Sequence, residues 1–369
     1  MSIVAVTGSG GFIGKNLGIR LAEAGHVMVP LPHDLEAAAL TALLADADFV
    51  VHLAGVNRPE TEAEFETGNA GMARRLAEAL VGVDRPIPLV YSSSIQAERD
   101  NPYGRSKRVA EDVLQTHGEQ TGAPVHIWRL PNVFGKWCRP NYNSVVATFS
   151  HNIAHGLPIQ INDPAARLQL VYIDDVVDAL LALIAGKGEH PVSVEPVYQT
   201  TLGELAGTIQ SFRAGRQTLV TGAVGNGLLR ALHATYLSYL DPADFAYDLV
   251  AHTDPRGSFA EMLRTPDAGQ FSYFTAHPGI TRGGHYHHSK TEKFLVVQGK
   301  ARFGFRHILT DETFTLETTG SVPRVVETVP GWSHDITNIG DDTMVVMLWA
   351  NEVFDRNRPD TVAAQVLPQ

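Results

Sequence analysis

From residue 1 to about residue 185, short apolar runs alternate with amphipathic stretches. Ile3–Thr7, His26–Pro30, Phe49–Leu53, Pro88–Tyr91 and Val125–Leu130 are predicted strands, being apolar runs bounded by turn formers. Phe12–Glu23, Leu35–Ala45, Ala63–Val81 and Tyr103–Thr116 carry apolar residues at helical spacing and are predicted helices. Strand-helix alternation of this kind implies a parallel sheet covered on both faces, a doubly wound α/β fold of Rossmann type. Residues from about 142 to 240 continue with helical patterns and few clear strands, as expected of a substrate-covering portion outside the central sheet. After Phe245 the period changes. Phe271–Thr275, Lys293–Val297, Ala301–Arg306, Val325–Val329 and Met344–Ala350 are short strands separated by Gly, Pro, Asp and Asn turns, the pattern of an all-β sandwich or barrel. The switch predicts a boundary within residues 246–257, with an α/β domain over 1–246 and an all-β domain over 258–369.

Composition agrees with two ordinary domains. The chain has 369 residues, 44% hydrophobic and 19% charged. No apolar run is long enough to span a bilayer, so no membrane partner is expected. The first residues lead into a strand and lack the basic start of a signal peptide. Cys138 is the only cysteine, which rules out an intrachain disulfide and points to a reducing cytoplasm. The net charge of −11 argues against a nucleic-acid surface. It leaves room for small anionic ligands, since local fields outweigh net charge inside a pocket.

Candidate chemistry begins at Thr7-Gly8-Ser9-Gly10-Gly11-Phe12-Ile13-Gly14, which follows a predicted strand and opens a predicted helix. Gly8, Gly11 and Gly14 have the spacing that permits a tight turn, a close approach of backbone to a pyrophosphate, and close helix–strand packing. An acidic residue at the end of the second strand would favour NAD. Here that end is apolar, Asp34 arrives late and His33 could meet a 2′-phosphate, so the expected cofactor is NADP(H). The alternative for His33 is a loop histidine without a ligand. Further on, Tyr103 and Lys107 are four apart on a predicted helix and share a face. A lysine ammonium beside a phenol is expected to lower its pKa. Such a tyrosine can exchange a proton with a substrate oxygen, and Lys107 can also hold the nicotinamide ribose. A serine of the run Ser92-Ser93-Ser94 can hydrogen-bond the same oxygen.

With these pieces assembled, residues 1 to about 240 resemble an extended short-chain dehydrogenase/reductase of the nucleotide-sugar type. The resemblance rests on the glycine turn, Val50–Gly55, Tyr91–Ser94, Tyr103–Lys107, Arg129–Gly135 and Val171–Val176. It implies that Ser94 is the catalytic serine, with Ser93 as the alternative. It also implies that Leu53, Ala54 and Gly55 line the cofactor after His52, and that Asn132, Lys136 and Arg139 approach a sugar nucleotide. Asp174 and Asp175 would lie on the substrate side or cap a helix.

The β-rich part carries His285, His287, Glu292 and His334. His285 and His287 are two apart and face one side of a strand, while His288 would face away. Three imidazoles and a carboxylate suit Zn²⁺, Fe²⁺, Mn²⁺ or Ni²⁺, with zinc the first choice. Gly279, Gly299, Gly331 and Asn338 complete a spacing that resembles the two motifs of the cupin family, a jelly-roll barrel. The alternative is a metal-free barrel with surface histidines.

A reductase of this type joined to such a cupin resembles the bifunctional enzymes of bacterial capsule and surface-polysaccharide synthesis that lead to UDP-N-acetyl-L-fucosamine. The resemblance implies C-3 epimerisation of a UDP-4-keto-6-deoxy-HexNAc by the cupin. NADPH-dependent reduction at C-4 would follow, giving UDP-2-acetamido-2,6-dideoxy-β-L-talose in a homodimer. Tyr273, Tyr286, His307 and Asp335 are open as the epimerisation base. Two other readings are a single-activity sugar-nucleotide reductase with a structural cupin, and a non-enzymatic dinucleotide sensor.

Overall fold

The computed structural model describes residues 1–186, 193–254, 257–260, 263, 269–352 and 357–367. Their elements, in chain order, begin with β1 (Ile3–Thr7), α1 (Phe12–Glu23), β2 (Val27–Leu31), α2 (Ala37–Leu44), β3 (Phe49–His52) and α3 (Ala63–Phe65). A π-helical segment Glu66–Gly71 leads into α4 (Met72–Val81), β4 (Leu89–Ser94), α5 (Pro102–Thr121), β5 (Val125–Leu130) and β6 (Asn132–Phe134). Next come α6 (Val145–Ala154), β7 (Arg167–Tyr172), α7 (Ile173–Ile184), β8 (Tyr198–Thr201), α8 (Leu202–Thr218) and α9 (Gly227–Leu237). The rest is β: β9 (Ala246–Asp248), β10 (Ala251–Asp254), β11 (Gly257–Ala260), β12 (Gln270–Ala276), β13 (Thr281–Tyr286) and β14 (Glu292–Gln298). It ends with β15 (Lys300–His307), β16 (Thr313–Thr319), β17 (Arg324–Glu327), β18 (Trp332–Asn338), β19 (Met344–Ala350) and β20 (Val362–Ala363). Two compact units result: Met1–Phe134 with Leu168–Gln199, and Gly135–Arg167 with Thr200–Gln369.

The first unit is built on a parallel sheet of order β2-β1-β3-β4-β5. Val4, Ala5, Val6, Val50 and Val51 are fully buried, as expected of central strands with helices on both faces. The strand order reverses between β1 and β3, so the crevice at their C-terminal ends is where such sheets take ligands. Phe12–Glu23, Ile3–Thr7 and Val125–Leu130 form at their predicted limits. The helix predicted over Tyr103–Thr116 runs from Pro102 to Thr121. Asn101 caps it by accepting from the Gly104 N–H at 2.8 Å, and Gly122 ends it at φ +74. The polar last turn, Gly118-Glu119-Gln120-Thr121, gave no apolar period from which to extend it.

A separate three-stranded sheet, β6-β7-β8, stands where few strands were expected. Asp174 and Asp175 do not cap α7. Its N-cap is Tyr172, and both aspartates lie within the first turn, where they complement the helix dipole.

The second unit holds two five-stranded antiparallel sheets, β12-β19-β14-β17-β9 and β16-β15-β18-β13-β20. Phe245 packs edge-on against Phe305, Phe314 and Trp332. A second cluster joins Val224, Leu295, Val325 and Trp349 to Phe212 of α8. β13 supplies the strand expected at His285, whereas β16 and β18 were not expected; in β16 the threonines of Thr313–Thr319 dilute the apolar signal. β9 pairs with β17. Residues 255–256 of the predicted boundary lie outside the described residues.

Candidate functional sites

The glycine turn sits at the C-terminal end of β1. Gly8 has φ +68, and a Cβ there would lie 2.8 Å from the Ala54 nitrogen. A Cβ on Gly14 would lie 2.4 Å from the Gly8 carbonyl oxygen, so both positions require glycine. Helix α1 starts after Gly11 with no side-chain cap and no acidic residue in its first turn. Its leading N–H groups, at Phe12 and Ile13, therefore suit an anion. The Thr7 hydroxyl accepts from the Leu53 and Ala54 N–H groups, each at 3.1 Å, and lies 2.6 Å from His52 Nδ1. With both lone pairs engaged, the hydroxyl must donate to Nδ1, which puts the imidazole proton on Nε2. Burial, then the Lys107 charge, lowers the His52 pKa to about 3. This neutral ring stacks on Tyr91, and its buried Nε2 has no partner among the described residues. Close backbone approach and an open helix start both fit a dinucleotide.

Ser94, Tyr103 and Lys107 come together beside this crevice. Ser94 ends β4, caps the following 3-10 turn by accepting from Gln96 N at 3.2 Å, and hydrogen-bonds Tyr103. Ser93 is committed elsewhere, since its hydroxyl donates to the buried Glu111 carboxylate. Of the two serines, Ser94 is therefore the one that meets the tyrosine. Lys107 is buried, and its Nζ donates to the Ser92 carbonyl at 3.1 Å and lies 6.0 Å from the Tyr103 ring centroid. The expected lowering of the Tyr103 pKa is not found. Burial raises it, with the Ser94 hydrogen bond opposing. Burial also lowers Lys107 to about 8, against the pull of Glu111, so desolvation outweighs attraction in this pair.

Three supporting residues escaped the sequence reading. Glu111 accepts from Arg129 Nη2 at 2.6 Å and from Ser93, tying α5 to β4 and β5. Its signal was Lys107 plus four on one helix face. Asn69, in the π-helical segment, accepts from Val56 N at 3.0 Å and donates to Ser106 Oγ at 2.9 Å. A Cβ on Gly55 would fall 2.7 Å from its Oδ1. Arg75 of α4 donates to the His33 carbonyl at 2.7 Å and to the Leu35 carbonyl, which places a guanidinium beside exposed His33 and Asp34.

The candidate substrate residues fall in different units. Asn132, in the first, donates to the Gln169 carbonyl at 3.1 Å. In the second, Lys136 is buried with Nζ 5.3 Å from the Trp137 ring, and Arg139 is exposed over Tyr142.

His285, His287, Glu292 and His334 also converge. One ligand atom from each lies within 4.8 Å of all the others. His285 of β13 stands directly opposite His334 of β18, just after a bulge at Gly283/His285 where Gly284 takes φ +76. The bulge re-aims His285 toward the interior. Glu292 opens β14 in the facing sheet, so the group bridges the two sheets. His287 Nε2 lies 3.2 Å from Glu292 Oε2, and His334 Nε2 lies 3.5 Å from it. Burial would raise the Glu292 carboxyl, but His287 and His334 hold it well below its ordinary value. Burial, then its histidine neighbours, lowers His285 to about 3, and burial lowers His334. His285 and His334 imidazoles with pKa lowered by burial beside a carboxylate, and both nitrogens of buried His334 lacking a hydrogen-bond partner among the described residues, fit a divalent metal.

The outer contacts orient this group. His287 Nδ1 hydrogen-bonds the Asp360 carbonyl. The Asp360 carboxylate accepts from the N–H groups of His288, Ser289 and Lys290 at 2.7–2.8 Å. His288 turns away onto Tyr286. Among the candidate bases, Tyr273 is 73% exposed. The His307 ring accepts from Leu309 N and Thr310 N. Asn338 accepts from Gly340 N and donates to the Ala276 carbonyl, so its part in the motif is to shape a turn.

A parallel sheet reversing at a glycine turn, with Ser94, Tyr103 and Lys107 beside the reversal, is the frame of a dinucleotide-binding α/β protein. The chain belongs to the NAD-dependent epimerase/dehydratase family, which matches residues 4–194. Residues 252–362 match the polysaccharide biosynthesis C-terminal domain. A Pseudomonas aeruginosa UDP-2-acetamido-2,6-beta-L-arabino-hexul-4-ose reductase is 58% identical over 98% of each chain. The capsular polysaccharide assembling protein CapF from Staphylococcus aureus is 43% identical with TM-score 0.68, over 99% of this chain and 100% of that one. Bordetella bronchiseptica WbmF, solved with NADH, shares the fold at 22% identity and TM-score 0.51, over 58% of this chain and 77% of its own. No helix among the described residues is long and apolar enough to cross a membrane.

Proposed function

We propose that this chain is a bifunctional nucleotide-sugar enzyme of capsule or surface-polysaccharide synthesis. The second unit's metal cluster, read as a cupin site, epimerises C-3 of a UDP-4-keto-6-deoxy-HexNAc. The Ser-Tyr-Lys group then reduces the C-4 ketone, giving UDP-2-acetamido-2,6-dideoxy-β-L-talose. One observation carries the reading: two complete chemical groups lie in a chain that is 58% identical, along its length, to a UDP-hexulose reductase. We further propose a cytoplasmic homodimer.

NADPH, when bound, supplies the hydride to C-4. Tyr103, kept protonated at neutral pH by burial, gives its proton to the C-4 oxygen as charge develops there. Ser94 holds that oxygen through its hydroxyl. Lys107 keeps a positive potential near the oxygen and the cofactor ribose, and Glu111 fixes the helix that carries both Tyr103 and Lys107. Arg75 and His33 suit a 2′-phosphate, which supports NADPH over NADH. In the second unit, His285, His287, Glu292 and His334 would hold a divalent metal, zinc first, which when bound would supply Lewis acidity. Glu292 and the backbone-anchored His287 keep the donor geometry.

A single-activity reductase with a structural cupin is the second reading, favoured by the reductase name of the Pseudomonas relative and by the burial of His287, Glu292 and His334. NMR of a UDP-4-keto-6-deoxy-HexNAc in D₂O separates the two. Deuterium entering at C-3 before NADPH is added, and lost in Glu292→Gln, supports the bifunctional enzyme. Reduction without C-3 exchange leaves only the reductase.

A further inference from the structure

A cavity of about 320 Å³ lies in the second unit, lined by α8, the chain after it, α9, and residues of β14 and β17. It shares none of its lining residues with the four-residue metal cluster. Arg216, Lys293 and Glu327 stand together in its wall. The Arg216 guanidinium donates to the Glu327 carboxylate and to the Asp244 carbonyl. The Lys293 ammonium donates to the same carboxylate and, at 2.8 Å, to the Tyr247 hydroxyl. Both cations also lie over the Tyr247 ring, at 4.6 and 5.0 Å from its centroid.

The charges do not balance. Two fixed cations share one carboxylate, and among the described residues no second acidic side chain pairs with either. Lys293 and Glu327 are 5% and 2% exposed and the Arg216 side chain 14%, so the surplus positive charge is only partly hydrated, where an unpaired ion is unfavourable. His233 adds no compensation. It is 6% exposed, lines the cavity, and its Nδ1 has no partner among the described residues. Burial drives its pKa to about 4, so it is neutral and can offer one N–H. Cavities that take small metabolites begin at roughly this volume.

We propose that this cavity binds a small oxyanion-bearing metabolite, a phosphate ester or a carboxylate, through Arg216 and Lys293. The anion neutralises the surplus charge, and His233, Thr221 and Gly222 border the rest of the ligand.

The test is isothermal titration of the full-length protein, with NADPH already bound so that the dinucleotide turn is filled. Inorganic phosphate and succinate are titrated separately at constant ionic strength. Saturable binding of one equivalent per chain is expected for one or both probes, and the probe that binds names the source. Thr221→Trp fills the cavity without touching the ion pairs and should abolish binding. Arg216→Gln leaves Lys293–Glu327 paired and should weaken binding tenfold or more. No saturable binding in the wild type overturns the proposal. Binding unchanged in a folded Thr221→Trp protein overturns it too, as an adventitious ion only.

Discussion

Replacing Lys107 with methionine should stabilise the cofactor-free first unit while destroying its reductase activity. The ammonium is 5% exposed and, among the described residues, donates only to the Ser92 carbonyl. Burial takes its pKa from 10.5 to about 8. At about 1.4 kcal/mol per unit, holding the charge in the folded state costs roughly 3 kcal/mol. Methionine fills a similar volume, and leaving the Ser92 carbonyl without its donor costs about 1 kcal/mol. A net gain of about 2 kcal/mol follows at neutral pH.

The pH dependence carries a defined sign. Between pH 8 and 10.5 the unfolded lysine keeps its proton and the folded one has lost it, so wild-type stability rises with pH through that window. The advantage of Lys107→Met should be full below pH 8 and gone by pH 10.5. Urea unfolding read by hydrogen exchange on β4 and β5 peptides, at pH 7, 9 and 10.5, measures it locally. A variant less stable than wild type at pH 7, or an advantage that grows with pH, would refute the reasoning.

Tyr103→Phe should lower kcat for ketone reduction by about 10²–10⁴ while NADPH still binds, as checked by cofactor fluorescence and single-turnover assays. Asp360→Ala should release the amides of His288–Lys290 and loosen His287. Metal affinity should fall by about 10–100-fold in chelator competition, and an unchanged affinity would show that the Asp360 contacts do not reach the metal. Arg75→Ala should raise KM for NADPH well above its effect on KM for NADH. Equal effects would mean that Arg75 serves only the His33–Leu35 loop.

Much of both candidate sites was legible because each is written as a local spacing. Tyr103 and Lys107 lie one helical turn apart, and His285 and His287 lie two residues apart, in β13 and just past its end. What could not be read were partnerships between distant residues. Glu111 meets Arg129 and Ser93 only after α5 packs on the sheet, and Asp360 meets His287 only after a late segment returns to pair with β13. The sign of the Tyr103 shift was missed for the same reason: spacing reveals a neighbouring charge, whereas burial belongs to the folded whole. The strand β16 was hidden because threonine there replaces the apolar alternation that marks a strand.

Glu292 and Lys293 are consecutive on β14, and alternation sends one side chain in among the histidines and the other toward Arg216 and Glu327. A slip of one residue would drive an ammonium in among the histidines and strand a carboxylate on the opposite side. The strand is thus proofread from both faces, and a single-residue insertion or deletion between His287 and Glu292 would be rejected by two independent charge clusters at once.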